Sequence, residues 1–172
     1  MNLLQEYKDL YYKEIEHSDR LNIRISTSLT LLTIIGTAEA FIINESISKF
    51  SLSWYSIVLS LLCLINSFTF FQCIYSFYKT YRGFDYSYFP IKGMTEYIEV
   101  INQDESIINK ENEITEMLKY KFSQDAINNR QENYKKNMSI RRLIIWIFRA
   151  FIFIIISFIF WAIMFNCPLI NI

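Results

Sequence analysis

Residues 143–165 read LIIWIFRAFIFIIISFIFWAIMF, with one charge, Arg149, and neither Gly nor Pro. About 20 consecutive apolar residues cross the hydrocarbon core of a bilayer as a helix. This stretch predicts a transmembrane span and makes the chain an integral membrane protein. Two further runs lie upstream. Residues 54–77, WYSIVLSLLCLINSFTFFQCIYSF, have Trp54 and Tyr75 near their ends, where aromatic belts sit. Residues 25–43 form the third and most polar run. A water-soluble helical protein buries one such segment, but not three in 172 residues.

The rest of the composition agrees. The chain is 52% hydrophobic with only 3 Gly and 2 Pro, so long helices with few turns are expected. We therefore expect an all-α membrane protein with three spans and a helical cytoplasmic segment between the second and third. The divisions are residues 1–22, an amphipathic helix; 23–81, a transmembrane hairpin; 82–141, the cytoplasmic segment; and 142–172, the last span and tail. Leu3, Leu4, Tyr7, Leu10, Tyr11, Ile15 and Ser18 recur at helical spacing, and nothing breaks the chain between them and the first span. Arg82–Gly93 reads as a loop, followed by a short helix over Met94–Ile101. Asp104 is the expected N-cap of a helix running into the third span.

Basic residues set the orientation. Lys8, Lys13, Arg20 and Arg24 precede the first span, and eleven Lys and Arg lie from Lys79 to Arg142. The loop after the first span holds only Lys49, and the tail after Phe165 holds none. The N-terminus and the large segment between the second and third spans are expected inside, and the hairpin loop and the C-terminus outside. The first 22 residues are too charged for a signal peptide, so the first span is expected to remain as an anchor.

Chemistry of bond-making is poorly represented. His17 is the only histidine and stands in no metal-ligand spacing. The three cysteines form no C-x-x-C or pairing pattern. No enzyme, cofactor or metal site is expected.

The polar residues inside the spans carry more information. Ser26, Thr30, Thr33, Thr37, Ala40 and Asn44 step by four and three and share one face of the first span. Ser53, Ser56, Ser60, Cys63 and Ser67 repeat the pattern in the second. Two readings stand side by side: close packing of a hairpin through small residues, or a hydroxyl-lined water path in an oligomer. Glu39 lies about 140° from the stripe, among Leu32, Ile35 and Gly36. A carboxylate at mid-membrane costs about 2.5–3.5 kcal/mol. It needs a partner, with Lys49, Ser56 and Ser60 at similar depth, or a place in a ring facing a cation path. Asn66 needs a partner helix. Arg149 either snorkels or bonds Gln72 or a lipid phosphate.

Charge in the segment before the third span is segregated. Asp85 to Glu116 holds eight acids and two bases; Lys119 to Arg142 holds seven bases and two acids. Either the halves pair, or Lys119, Lys121, Arg130, Lys135, Lys136, Arg141 and Arg142, with Tyr120 beside them, receive an anionic nucleotide, oligonucleotide or lipid headgroup. Tyr81, Phe84, Tyr86 and Tyr88 are further stacking candidates.

Two stretches carry a resemblance. EYKDLYYKEIEHSDRLNIRISTSLTLL is similar to the charged helix that runs into the first span of the SLATT-type membrane effectors of bacterial anti-phage systems. MLKYKFSQDAINNRQENYKKNMSIRRLI resembles their cytoplasmic helix, with Tyr120, Ala126, Asn129 and Asn133 in matching spacing. The third span departs from the two of the basic design and is similar to the three-span membrane effector of the Hailong system, whose synthase makes a DNA oligomer as messenger. The resemblance implies a homo-oligomeric pore, opened by a nucleotide messenger, that depolarises the host membrane. Membrane lipids are implied partners and duplex DNA is not. The residues alone leave a non-conducting adaptor open as the alternative.

Overall fold

The computed structural model describes residues 3–48, 54–88 and 91–166, with side chains described outside 91–92 and 164–166. Lys49, Pro90, Cys167 and the tail lie outside the described residues. The described residues form four helices: α1 (Leu3–Ser48), α2 (Trp54–Arg82), α3 (Ile91–Gln103) and α4 (Lys110–Asn166). Three of them, α1, α2 and α4, are long and apolar enough to cross a membrane. The amphipathic N-terminal stretch and the first span are one unbroken helix, as the absence of Gly and Pro before residue 36 allows.

Two boundaries fall where the sequence reading did not put them. The short helix starts at Ile91, so Gly93 lies inside α3 rather than in the loop. Asp104 is not the N-cap of α4. Its backbone N–H closes α3 on the Val100 carbonyl at 3.0 Å. Its carboxylate accepts the Ser106 N–H at 2.9 Å and the Ser106 hydroxyl at 2.6 Å. These bonds offer the backbone a local alternative to the helix and end it without Gly or Pro. They also hold the Asp104 carboxyl below its usual range. Lys110 donates to the Asn102 carbonyl at 2.6 Å, covering an open acceptor at the end of α3. The cap of α4 is Asn109, which accepts the Asn112 N–H at 3.1 Å. Glu111 and Glu113 in the first turn suit the helix dipole. At the end of α2, Lys79 and Arg82 do the same for the opposite pole.

The chain divides into two compact units, and α1 and α4 contribute residues to each. Unit one comprises Met1–Asn22 and Phe84–Asn137. Its apolar core is small: Tyr11, Phe122 and Ala126, flanked by Leu4, Tyr7, Ile15 and Leu118. The Tyr11 and Phe122 rings lie 5.6 Å apart. Met94 and Ile101 are buried on one side of α3.

Unit two comprises Ile23–Gly83 and Met138–Ile172. Buried positions on α1 are Ile25, Ser28, Leu32, Ile35, Glu39 and Ile42, in alternating steps of three and four. On α4 they are Ile140, Leu143, Ile147, Ala150, Ile154 and Ser157, stepping the same way. Leu59, Asn66, Thr69, Cys73 and Thr80 keep the register on α2. A mean step of 3.5 is the seam of helices packed knobs into holes. Gly36 makes room for Phe70 of α2: a Cβ there would lie 2.9 Å from Phe70 Cζ.

Candidate functional site

The hydroxyl stripe of α1 does not lie in the seam. Ser26, Thr30, Thr33, Thr37, Ala40 and Asn44 are all exposed, and Thr33 and Thr37 line an open groove between α1 and α4. Thr30, Thr33 and Thr37 donate their hydroxyls to carbonyls four residues back, Thr37 to Thr33 at 2.9 Å. This satisfies each hydroxyl within its own helix. The corresponding row of α2 behaves differently. Ser56, Ser60 and Cys63 are half-buried, and Cys63 Sγ stands 3.9 Å from Ser46 of α1. The two rows therefore do not meet as twins in one hairpin interface.

Glu39 takes the place the stripe vacates. It sits on the seam, 5% exposed. Ser67 donates its hydroxyl to Oε1 at 2.7 Å, whereas Ser56 and Ser60 do not reach it. The other oxygen, Oε2, is buried without a partner among the described residues. On α2, Asn66 is 2% exposed and donates Nδ2 to the Ser157 hydroxyl of α4 at 2.9 Å. The partner helix that Asn66 required is thus α4. Ser157 was missed in the sequence; it is a lone hydroxyl in an Ile/Phe run, and its heptad position was the available signal. Apolar helices in lipid gain little from the hydrophobic effect on pairing. Close packing and such hydrogen bonds, worth about 0.6–2 kcal/mol each, set their register.

Arg149 pairs with neither Gln72 nor an acid among the described residues. Its guanidinium lies 4.8 Å over the Trp146 ring one turn earlier on α4. Gln72 is half-buried and lines a separate small pocket with Lys79 and Arg142.

In unit one the basic residues separate into three groups. Lys119, Lys121 and Lys135 are occupied on their own helix by Glu116 at 2.6 Å, Asp125 at 2.9 Å and Glu132 at 2.5 Å. These pairs are between near neighbours on α4: Glu116–Lys119 joins the adjoining ends of the acidic and basic halves, and the other two lie within the basic half. Lys136 is 5% exposed. Its ammonium donates to Asn22 Oδ1 at 2.6 Å and lies 5.1 Å from the Tyr86 ring and 5.8 Å from that of Phe84. Burial pushes the Lys136 ammonium down, against a smaller opposing pull from Asp19. It is a packing residue, not a free cation. Arg130 is exposed and has no carboxylate partner among the described residues. Tyr120, beside these residues, is 68% exposed. In unit two, Arg141 and Arg142 are likewise exposed and unpaired among the described residues.

The segment after α2 is fixed by amides of α4. Asn129, fully buried, accepts the Ser87 N–H at 2.8 Å and donates to the Ser87 carbonyl at 3.0 Å. Asn133 accepts the Tyr86 hydroxyl at 2.9 Å and donates to the Glu14 carbonyl at 2.8 Å. Burial raises the Tyr86 phenol above its ordinary value, with a hydrogen bond from Ser18 acting the other way. Among the described residues no group of His, Cys, Asp and Glu is placed to hold a metal ion.

Fold and sites define an all-helical chain with three helices compatible with membrane insertion. No known protein family, curated protein or solved structure matches it.

Proposed function

We propose that the protein is a homo-oligomeric membrane effector of anti-phage defence that conducts ions when an anionic nucleotide or oligonucleotide binds. One observation carries the reading: Thr30, Thr33 and Thr37 form an exposed row outside the buried seam, with Thr33 and Thr37 on an open groove beside Ile155 and Phe158 of α4. Hydroxyls next to lipid are unremarkable, since each is satisfied by its own backbone. A row of them at three- and four-residue spacing suits a helix-to-helix contact between copies, or a water path that several copies enclose. Within unit one, the unpaired and exposed Arg130 supplies charge for the messenger, and the exposed Tyr88 and Tyr120 supply stacking faces. A ligand gates only by binding the conducting state more tightly.

The test is reconstitution of the full chain in dye-loaded liposomes, with nucleotides and short oligonucleotides added to the side bearing the α4 basic residues. Ion flux that appears with a ligand supports the reading; an impermeable vesicle with every ligand refutes it. A second reading, a non-conducting adaptor, is favoured by Tyr120, Ile127 and Tyr134. They stand seven residues apart on α4, and each is at least 48% exposed. Stoichiometry separates the two readings: a non-conducting monomer that captures a soluble protein through this row is an adaptor.

A further inference from the structure

In unit two, α2 and α4 form two neighbouring cavities of opposite character. The first, about 180 Å³, is lined by Lys79, Gln72 and Ser76 of α2 and by Ser139, Arg142 and Trp146 of α4. With Tyr75 and Thr80, which also line it, it holds two cations, an amide and four hydroxyls, with no carboxylate. Neither Lys79 nor Arg142 has an acidic partner among the described residues. The second cavity, about 500 Å³, is lined by Ile65, Phe68 and Thr69 of α2 and by Arg149, Ile152 and Phe153 of α4, again with Trp146. Trp146 is the wall the two share.

Sequence position says where these cavities stand. Arg142 immediately precedes the apolar run of α4, and Lys79 follows that of α2 by two residues. The two cations therefore mark the end of the apolar spans, and the larger cavity lies along the spans themselves. Arg142, Trp146, Arg149 and Phe153 follow one another at steps of four and three, a single ridge of α4. Arg149 is about 10 Å further along than Arg142. Its guanidinium lies over Trp146, the residue between them. A polar pocket with spare positive charge at the membrane boundary, continued by an apolar groove, has the shape of one kind of ligand. Basic pockets between spans receive anionic headgroups.

We propose that unit two binds an anionic phospholipid on its α2–α4 face, with the phosphate between Lys79 and Arg142 and an acyl chain along Ile65, Phe68 and Phe153. Ser139, Ser76 and Gln72 donate to the phosphate oxygens, and Trp146 lies beside the glycerol, between head and tail. A free nucleotide would satisfy the cations but leave the groove empty, which is why the lipid is the occupant the pair of cavities favours. The proposal needs the apolar helices to stand in a membrane; it does not depend on whether they conduct.

Trp146 provides the readout. In the full chain with Trp54→Phe and Trp161→Phe, it is the remaining tryptophan. The protein is placed in phosphatidylcholine nanodiscs containing a small, equal fraction of brominated phosphatidylglycerol or brominated phosphatidylcholine. Brominated phosphatidylglycerol is expected to quench Trp146 several-fold more effectively. Lys79→Gln and Arg142→Gln should each lower that preference about fivefold, and the charge-preserving Lys79→Arg and Arg142→Lys should retain it. Equal quenching by the two lipids overturns the proposal. So does a preference that survives the double Gln variant, or one that is lost as readily in the charge-preserving pair. Displacement of the brominated lipid by millimolar inorganic phosphate or adenosine monophosphate would make this a site for soluble phosphate and overturn the lipid assignment.

Discussion

Glu39 shows how much a single residue's setting decides. Its carboxylate lies on the buried seam with one donor, the Ser67 hydroxyl, and one oxygen without a partner. Ser67→Ala removes that donor and leaves the whole group unsatisfied, at a cost of about 1–3 kcal/mol. The midpoint of denaturant unfolding in detergent micelles measures it. Glu39→Leu removes the polar group altogether and should be far less costly than Ser67→Ala. Lys136 makes a second residue-scale case, in unit one. Burial lets the folded chain release this proton below 10.5, the value at which the unfolded chain does so. Across that window the unfolded state binds more protons, so stability rises with pH; below it the cost of the buried charge is constant. Tyr86 acts in the opposite sense from pH 10.0 upward, because its phenol is held neutral in the fold after the unfolded chain has ionised. Asp19 and Asn22 face the same ammonium. The thermal midpoint should therefore climb as the pH approaches 10, flatten where the two effects oppose and turn down above 10.5, and Lys136→Met should abolish the climb. At neutral pH that variant should be neutral or slightly more stable, as when other buried charges are exchanged for apolar groups.

At the scale of elements, the break between α3 and α4 rests on side chains rather than on Gly or Pro. Asn109→Ala should cost about 1 kcal/mol by uncapping α4, and fraying should appear as faster amide exchange over the first turn, residues 110–113. In unit two, Gly36→Val forces a branched side chain against Phe70 and should cost about 1–3 kcal/mol through overpacking, read in the same micelle unfolding assay. These cases show which features were legible in advance. The existence of the three long apolar helices was open to reading, because hydrophobic length and scarcity of Gly and Pro are one-dimensional properties. The end of α3 was not. Asp104 suits a helix start and an Asx turn equally, and only the neighbouring Ser106 decided between them. The two hydroxyl rows were recognised, but their direction was not. Helical spacing says that Ser26, Thr30, Thr33 and Thr37 share a face; it does not say which face packs. The seven-residue register did hold that answer, since Leu32, Ile35, Glu39 and Ile42 keep the three-four rhythm of the seam. Glu39 shares that face with Leu32 and Ile35, but a carboxylate there suits a packed seam and a cation path equally, and only its donor, Ser67, decides between them. Among the basic residues, sequence counted charge but not occupancy, and Lys119, Lys121 and Lys135 are already paired on their own helix.

For the whole molecule the question is what covers the face of α1 that carries Thr30, Thr33 and Thr37. If copies of the chain meet there, single cysteines along the row should join under oxidising conditions in native membranes. The background must first lose Cys63, Cys73 and Cys167 to Ala or Ser. Thr33→Cys and Thr37→Cys should then give disulfide-linked dimers on non-reducing gels. Ile35→Cys, on the buried seam two residues away, should give none, because its Cβ faces the protomer's own core. The spacing makes the test sharp. One step of two residues rotates a helical side chain by about 200°, so a contact specific to the row cannot cross-link both positions. The same comparison bears on conduction. Under the proposed reading, Thr33→Val and Thr37→Val should change single-channel conductance in planar bilayers, since they replace a hydroxyl by a methyl on the shared face. Glu39→Gln should leave ion selectivity as it was, because its side chain is enclosed between the helices of one protomer. A selectivity change with Glu39→Gln and none with the threonine variants would place the water path inside the bundle and reverse the assignment of faces.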